Sequence, residues 1–328
     1  MTNLSKQIFS ISTPEDFEKI SLEVFRHQAK NCQVYRDYIS HLKISPSAIH
    51  AVDQIPYLPI GFFKTHPILS NADAAIEITF SSSGTTGMSQ SKHLVTDLSL
   101  YDQSFNLAFE QFYGSVKGTC FLALLPSYSE RDGSSLIYMV DALIRESQHP
   151  DSGYFLHNHD ELYHKLMQLK SQGQQTILIG VTYALLDFIE KYPIDFPELV
   201  VMETGGMKGK RKEMVREELH EILQKGFGVP AIHSEYGMTE LLSQAYSLGL
   251  GIFNCPAWMK VSLRDTNDPL SPPANNKTGG INVIDLANVN SCAFIATQDL
   301  GRIFPDGSFE VLGRFDNADI RGCNLLVQ

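Results

Sequence analysis

The sequence predicts an α/β protein: a large layered body of helices packed on sheet, running into a β-rich part. Three observations carry this. From about residue 75 to 244, short apolar runs alternate with stretches of helical period, the pattern of strand and helix laid down in turn. Beyond about 245 the period falls to two and turn residues crowd in. At 328 residues, 43% hydrophobic and 19% charged, the chain carries apolar material for one large or two ordinary domains without covalent staples. The expected division is an α/β body over 1–244 and a β-rich subdomain over 245–328.

The elements follow in order. Ser12 or Thr13 can cap a helix that opens on Pro14, where a missing N–H costs nothing, and Phe17, Ile20, Val24 and Phe25 fall near one face. "AAIEITF" (74–80) reads as a strand, "LSLYDQSFNLAFEQFY" (98–113) as a helix and "TCFLALLP" (119–126) as a buried strand. "GSSLIYMVDALIRE" (133–146) is a helix capped near Asp132 or Ser134. A strand in "QQTILIGV", a helix in "TYALLDFIEKY" and a strand in "ELVVMETGG" come next. The charged "GKRKEMVREELHEILQKG" (209–226) reads as an amphipathic helix closed by Gly226. The late strands are "KVSLRD", "GGINVIDL", "SCAFIATQ" and "GSFEVLGR", separated by Pro, Gly, Asn and Asp, with Asp306 and Gly307 in a hairpin turn.

A formal net charge of −11 argues against a nucleic-acid duplex or an anionic membrane as the main partner, because both need a positive face. The N-terminus lacks the pattern of a signal peptide, and no apolar run approaches the roughly 20 residues that span a bilayer, so the chain reads as cytoplasmic. Its five cysteines, at 32, 120, 255, 292 and 323, form no CxxC pair and suggest neither a disulfide framework nor a zinc site.

Between strand and helix lies "SSSGTTGMSQSKH" (81–93), rich in hydroxyls and bare backbone and followed by Lys92. Such a loop is either an ordinary surface loop or one that turns its N–H and hydroxyl donors onto phosphate oxygens. No G-x-x-x-x-G-K-[ST] loop, G-x-S-x-G elbow or complete G-x-G-x-x-G occurs; "GGMKGKR" (205–211) is one residue short of the first.

Two later segments, "SEYGMTE" (234–240) and "QDLGRIFPDGSFEVLGRFDNADIRG" (298–322), follow the serine loop in the order of three motifs of the adenylate-forming superfamily of acyl and aryl ligases. The chain resembles that superfamily from about 75 to 322. It is most similar to acyl-protein synthetases of the LuxE type through "LLPSYSERDGSSLIYMVDALI", "ETGGMKGKRKEM" and the ending "RGCNLLVQ", with phenylacetate-CoA-ligase-like relatives second. The resemblance implies the large N-terminal body of such an enzyme, with the family's small C-terminal domain, which brings the adenylation lysine, expected to be absent.

It also implies roles. Ser83, Gly84, Thr85, Thr86 and Gly87 would cradle the β and γ phosphates of ATP, with Lys92 neutralising part of their charge. Gly205 and Gly206 would pass behind adenine and Tyr236 would offer it a flat face. Gly237 would let backbone approach, Thr239 would reach the α phosphate and Glu240 would hold Mg²⁺. Asp299, expected at a strand end, would accept from the ribose hydroxyls. Arg314 would pair with ribose or phosphate, Asp316 would be a hinge, and Cys323 would take the acyl group as a thioester. The implied activity is ATP-dependent activation of a carboxylic acid, a fatty acid by this likeness, then transfer to a protein cysteine. An acyl-CoA reductase or another acyl-accepting protein is the implied partner. An acyl- or aryl-CoA ligase that needs a separate domain or partner, and a non-catalytic nucleotide-binding relative, stay open as alternatives.

Two further features are read as ordinary surface. "HNHDELYH" carries His157, His159, Asp160 and His164 at a helix start, and "GKRKEMVREE" is a solvated helix face.

Overall fold

The computed structural model describes residues 3–82, 90–126, 133–205, 211, 214–273 and 278–314. By contacts the chain forms two units, the first discontinuous in sequence. One gathers the residues up to Ile76, His93–Thr96 and those from Ala257 on; the other holds Glu77–Lys92 and Asp97–Pro256. The sequence reading divides the chain once, at 244/245.

The first unit shows why early and late residues share a core. Thr13 caps helix Pro14–Asn31 in a reciprocal box: the Asp16 N–H donates to Thr13 Oγ1 at 3.1 Å and the Thr13 N–H to Asp16 Oδ2 at 3.2 Å. Phe17, Ile20, Val24 and Phe25 are buried as the spacing predicts, and so is the polar Gln28. Its amide donates to the carbonyls of Asn288 (2.9 Å) and Val289 (3.1 Å) and accepts the Ala293 N–H (2.9 Å), so burial leaves no amide group unmet. Tyr35, on helix Gln33–His41, meets Phe25 edge-on and stacks on Phe294. The sheet beneath is an antiparallel meander of Met259–Arg264, Gly279–Asp285, Phe294–Ile303 and Phe309–Arg314, with Leu58–Pro59 added parallel to the third strand. Asp306 and Gly307 make the expected turn, with Gly307 at φ +86° and the Asp306 carboxylate accepting the Ser308 N–H at 3.0 Å.

The second unit is built on parallel strands. Cys120–Leu124 lies between Gly153–Tyr154 and Thr176–Val181; Val200–Thr204 and Ile232–Tyr236 continue the sheet. Ala245–Ser247 and Ile252–Asn254 finish this unit's sheet antiparallel. Cys120–Leu124 and Thr176–Val181 are buried at every residue, as strands covered on both faces must be, which is why they read as unbroken apolar runs. Of the two capping candidates for helix Ser135–Ser147, Ser134 takes the role, accepting the Ile137 N–H. For helix Leu98–Tyr113 the acceptor comes from outside: Glu77 Oε2 takes the Leu98 N–H at 2.7 Å. Asn158 caps helix His159–Gln172, and Asp160 there lies 3.6 Å from Lys191 of helix Thr182–Lys191.

Three elements depart from the sequence reading. The last helix of this unit is Arg216–Phe227, and Gly228, left-handed at φ +65°, closes it. Gly226 sits inside the helix because a Cβ there would come within 2.5 Å of Ile189 Cδ1; its bare backbone serves packing against helix Thr182–Lys191. Within the basic run, Arg211 lies ahead of helix Arg216–Phe227. Arg211 donates from Nε to Asp187 Oδ1 at 2.8 Å and from Nη1 to Glu190 Oε1 at 2.6 Å, pairing with the neighbouring helix. The strand in "AAIEITF" is confined to Ile78–Ser81. Among the described residues no helix is long and apolar enough to cross a membrane.

Candidate active site

Strands Val200–Thr204 and Ile232–Tyr236 run parallel, with Val201 opposite Ile232 and Glu203 opposite Ser234, and they end side by side. Ligands of open α/β sheets bind beyond the carboxyl ends of such strands. Both segments leave the sheet on glycine, for different reasons. Gly205 has φ +74°, which a side chain resists. At Gly237 the obstacle is space: a Cβ would lie 2.3 Å from Glu235 Oε1 and 3.3 Å from Gln244 Cγ. Gly206 lies outside the described residues.

Of the residues read from "SEYGMTE", Tyr236 is buried and sets its ring against Phe253 at 5.9 Å. Thr239 is half-buried, whereas the Glu240 carboxylate is 6% exposed. Leu241 and Leu242, which follow it, are both buried. Among the described residues no three His, Cys, Asp or Glu side chains converge as a metal cage. A cation here would take one carboxylate from Glu240 and its other ligands from phosphate and water, the usual arrangement for Mg²⁺. A single buried carboxylate at this edge fits a cation whose remaining ligands come from a nucleotide's phosphates.

Sequence reasoning missed three residues around this edge. The Thr204 hydroxyl donates to Glu235 Oε2 at 2.7 Å, tying one strand end to the other. Burial first, and then the Glu235 charge, hold the phenols of Tyr113 and Tyr246 above the ordinary tyrosine range. Beside them Glu203, 8% exposed, accepts from the Thr182 hydroxyl at 3.1 Å and from Arg216 Nη1 at 3.2 Å, with His220 Nε2 at 3.8 Å. Burial raises its pKa, but His220, Arg216 and Ser234 outweigh that and leave it below the usual carboxylate range. A glutamate within the apolar strand "ELVVMET" was the available signal.

The serine loop is closed at its base. The Ser82 N–H donates to the Ser91 carbonyl at 3.1 Å, and the Ser91 N–H to Ser82 Oγ at 3.0 Å. Ser83, Gly84, Thr85, Thr86 and Gly87 lie outside the described residues; Lys92 opens strand Lys92–Val95 and is exposed.

In the first unit, Asp299 is not at a strand end. It lies inside Phe294–Ile303, in register with Arg314, the last residue of Phe309–Arg314, just before a bulge at Leu300/Gly301. The bulge interrupts the ladder there, which gives an interior aspartate the break that a strand end was expected to supply. Arg314 Nε stands 3.2 Å from Asp299 Oδ1. The Asp299 N–H donates to Thr297 Oγ1 at 3.1 Å. Arg264, a fourth residue the sequence did not single out, donates from Nη1 to the Ile281 carbonyl (2.7 Å) and Asn282 Oδ1 (2.9 Å) and from Nη2 to the Thr297 carbonyl. Gly280 makes room for it, since a Cβ would fall 2.7 Å from Arg264 Cζ.

Asp316 and Cys323 lie outside the described residues. Burial pushes the thiols of Cys32 and Cys292 up and that of Cys120 to about 11, which leaves them almost wholly protonated at neutral pH.

A parallel sheet that carries its motif glycines at the carboxyl edge, joined in sequence to a late antiparallel meander, defines the body of the adenylate-forming ligases. The chain matches 2-hydroxyisobutyryl-CoA ligase in complex with 2-HIB-AMP and CoA at a TM-score of 0.67 and 12% identity, over 94% of this chain and 72% of that one. ATP-bound MatB from Rhodopseudomonas palustris matches at 0.54 and 16%, over 75% and 50%. Within that class, the profile of the acyl-protein synthetases, LuxE, matches residues 8–328, and the chain belongs to this family. It is 23% identical over 342 residues to the long-chain-fatty-acid–luciferin-component ligase of Aliivibrio fischeri, covering 94% of this chain and 86% of that protein.

Proposed function

We propose that this chain activates a long-chain carboxylic acid with ATP and passes the acyl group to a protein thiol, that of Cys323. Membership of the acyl-protein synthetase family over residues 8–328 carries this reading. The substrate carboxylate oxygen attacks the α phosphorus; the bond from the α phosphorus to the α,β-bridging oxygen breaks, that oxygen leaves with the β and γ phosphates as pyrophosphate, and acyl-adenylate results. The Cys323 thiolate then attacks the acyl carbon, and AMP leaves as the thioester forms. The acyl group goes on to an acyl-CoA reductase or another acyl-accepting protein.

The roles divide as follows. Hydroxyls and N–H groups of Ser83, Gly84, Thr85, Thr86 and Gly87 hold the β and γ phosphates, helped by Lys92. Gly205, Gly206, Tyr236 and Gly237 receive adenine, Thr239 donates to the α phosphate, and Asp299 and Arg314 hold the ribose. Mg²⁺ supplies charge neutralisation of the phosphates, with Glu240 as its protein ligand. Residues 1–244 thus carry most of the nucleotide and acyl binding, and residues 245–328 the ribose contacts and the acceptor cysteine. A thiol suits the transfer because it is a few per cent thiolate at neutral pH unaided, and tethering raises its effective concentration over a free acceptor.

The test is pyrophosphate exchange with ATP and a panel of acids, followed by labelling with a radioactive long-chain acid. Exchange with long-chain acids, and label that neutral hydroxylamine releases, are expected. Cys323→Ser should keep exchange and lose the label. Label retained by that variant with unchanged hydroxylamine sensitivity removes Cys323 from the mechanism.

A further inference from the structure

We infer that Glu235 is a positioning residue that fixes the two glycine-bearing segments of the nucleotide site against each other; this rests on the reading that those segments receive ATP. The two carboxylate oxygens do different jobs. Oε2 accepts the Thr204 hydroxyl at 2.7 Å, and Thr204 is the last residue before Gly205. Oε1 lies where a Cβ on Gly237 would be, 2.3 Å from that position. One side chain therefore spans from the exit of strand Val200–Thr204 to the exit of strand Ile232–Tyr236.

The register explains why Glu235 can reach. Glu203 pairs with Ser234, so one step further along two parallel strands sets Thr204 beside Glu235, with both side chains on the same face of the sheet. Thr204 is 3% exposed, so its hydroxyl depends on this acceptor. Beyond Thr204 and Tyr236 the sheet ladder no longer holds the two chains together. A charge-assisted hydrogen bond at the last rung fixes the spacing of Gly205 and Gly237 where a flat base would have to enter between backbone segments. Glu235 touches no reacting atom in this account; it acts through the glycines.

Four variants test the assignment: Glu235→Ala, Glu235→Gln, Thr204→Val and the double change Glu235→Ala with Thr204→Val. ATP affinity is measured by calorimetry without acid, the KM for ATP and the turnover by pyrophosphate exchange, and folding by thermal melting. Losing one charge-assisted hydrogen bond should weaken ATP binding and raise its KM about tenfold in Glu235→Ala and in Thr204→Val. The KM for the acid should move less than about twofold, since the bond faces the base. Glu235→Gln keeps an acceptor for Thr204 and should recover most of the affinity. The double variant should lose no more than the worse single one, because both remove the same bond. A fall in melting temperature with ATP affinity unchanged would make the pair merely structural and overturn the inference, as would fully additive losses. If the parent binds no ATP and exchanges no pyrophosphate with any acid, the functional reading itself fails; a parent active in both assays with variants of parental ATP affinity sinks the positioning role alone.

Discussion

Arg314 Nε stands 3.2 Å from Asp299 Oδ1, across a rung of the antiparallel pair close to a bulge. The guanidinium side chain is 70% exposed and the carboxylate 11%. An ion pair with one partner this wet contributes about 0–1 kcal/mol to stability, so the pair is a weak reason for two charged residues to be there. Asp299→Asn should leave the melting temperature within about 2 °C of the parent's. If Asp299 accepts from ribose, the KM for ATP should rise about 10- to 100-fold, the worth of one or two hydrogen bonds to a charged group. Pyrophosphate exchange with ATP varied measures it; an unchanged KM takes ribose away from Asp299.

Glu240 is a carboxylate 6% exposed in a protein of formal net charge −11. Bringing a triphosphate to such a residue is favourable only with a divalent cation between them. Glu240→Gln keeps the shape and removes the charge, so adenylate formation should fall by about two orders of magnitude or more with the fold intact. Circular dichroism and exchange titrated with Mg²⁺ check both halves. Exchange near the parent rate would mean the metal is held elsewhere.

Glu203 makes a stability prediction with a sign. Its folded-state pKa lies below the ordinary value, because His220, Arg216 and Ser234 outweigh burial. Its contribution is therefore fully present above the unfolded carboxylate pKa of about 4.3, and is lost as pH falls through the depressed folded value. Glu203→Gln should cost about 2–4 kcal/mol at pH 7, since it leaves Arg216 and its neighbours short of a buried partner. The cost should shrink below about pH 4. Denaturant melts at pH 7 and at pH 3.5 compare the two; a gap that widens in acid would contradict the assignment.

Gly226→Ala sets two effects against each other. Alanine in place of glycine within a helix gains about 1 kcal/mol of propensity. The new methyl would sit 2.5 Å from Ile189 Cδ1 and 2.7 Å from Ile189 Cβ. The latter atom is fixed to the backbone, so the helices must part, and overpacking of this kind costs about 1–3 kcal/mol. Net destabilisation of up to about 2 kcal/mol is expected by urea unfolding. Gly226→Ala in an Ile189→Val background should recover part of it, because valine removes the Cδ1 atom and one of the contacts.

The sequence showed its strands and helices wherever one face or both were apolar. Cys120–Leu124 and Thr176–Val181, buried throughout, and the Thr13 cap were legible for that reason. The limits of the charged helix were not, because Arg211 owes its place to Asp187 and Glu190 in a helix some twenty residues earlier. Tyr236, Gly237, Thr239 and Glu240 could be picked out as a motif, being contiguous. Glu235 and Thr204 could not be paired: they are 31 residues apart and meet only once two parallel strands are in register. Asp299 was picked by its motif but set at a strand end, since a bulge inside a strand has no strong mark in composition.

The Gln28 amide has its consequence on the ribosome. Its acceptor and donor partners, Asn288, Val289 and Ala293, lie 260 to 265 residues downstream. At about 5 to 20 residues per second, some 13 to 50 s pass between synthesis of that glutamine and synthesis of its partners. During that interval Phe17, Ile20, Val24 and Phe25 have no sheet to cover them, while the whole of Glu77–Pro256 has emerged and can complete its own contacts. Helix Pro14–Asn31 is thus secured long after it is made. Vectorial synthesis leaves that helix open to holdase chaperones for longer than Glu77–Pro256, and a pause in translation before residue 257 would prolong that exposure.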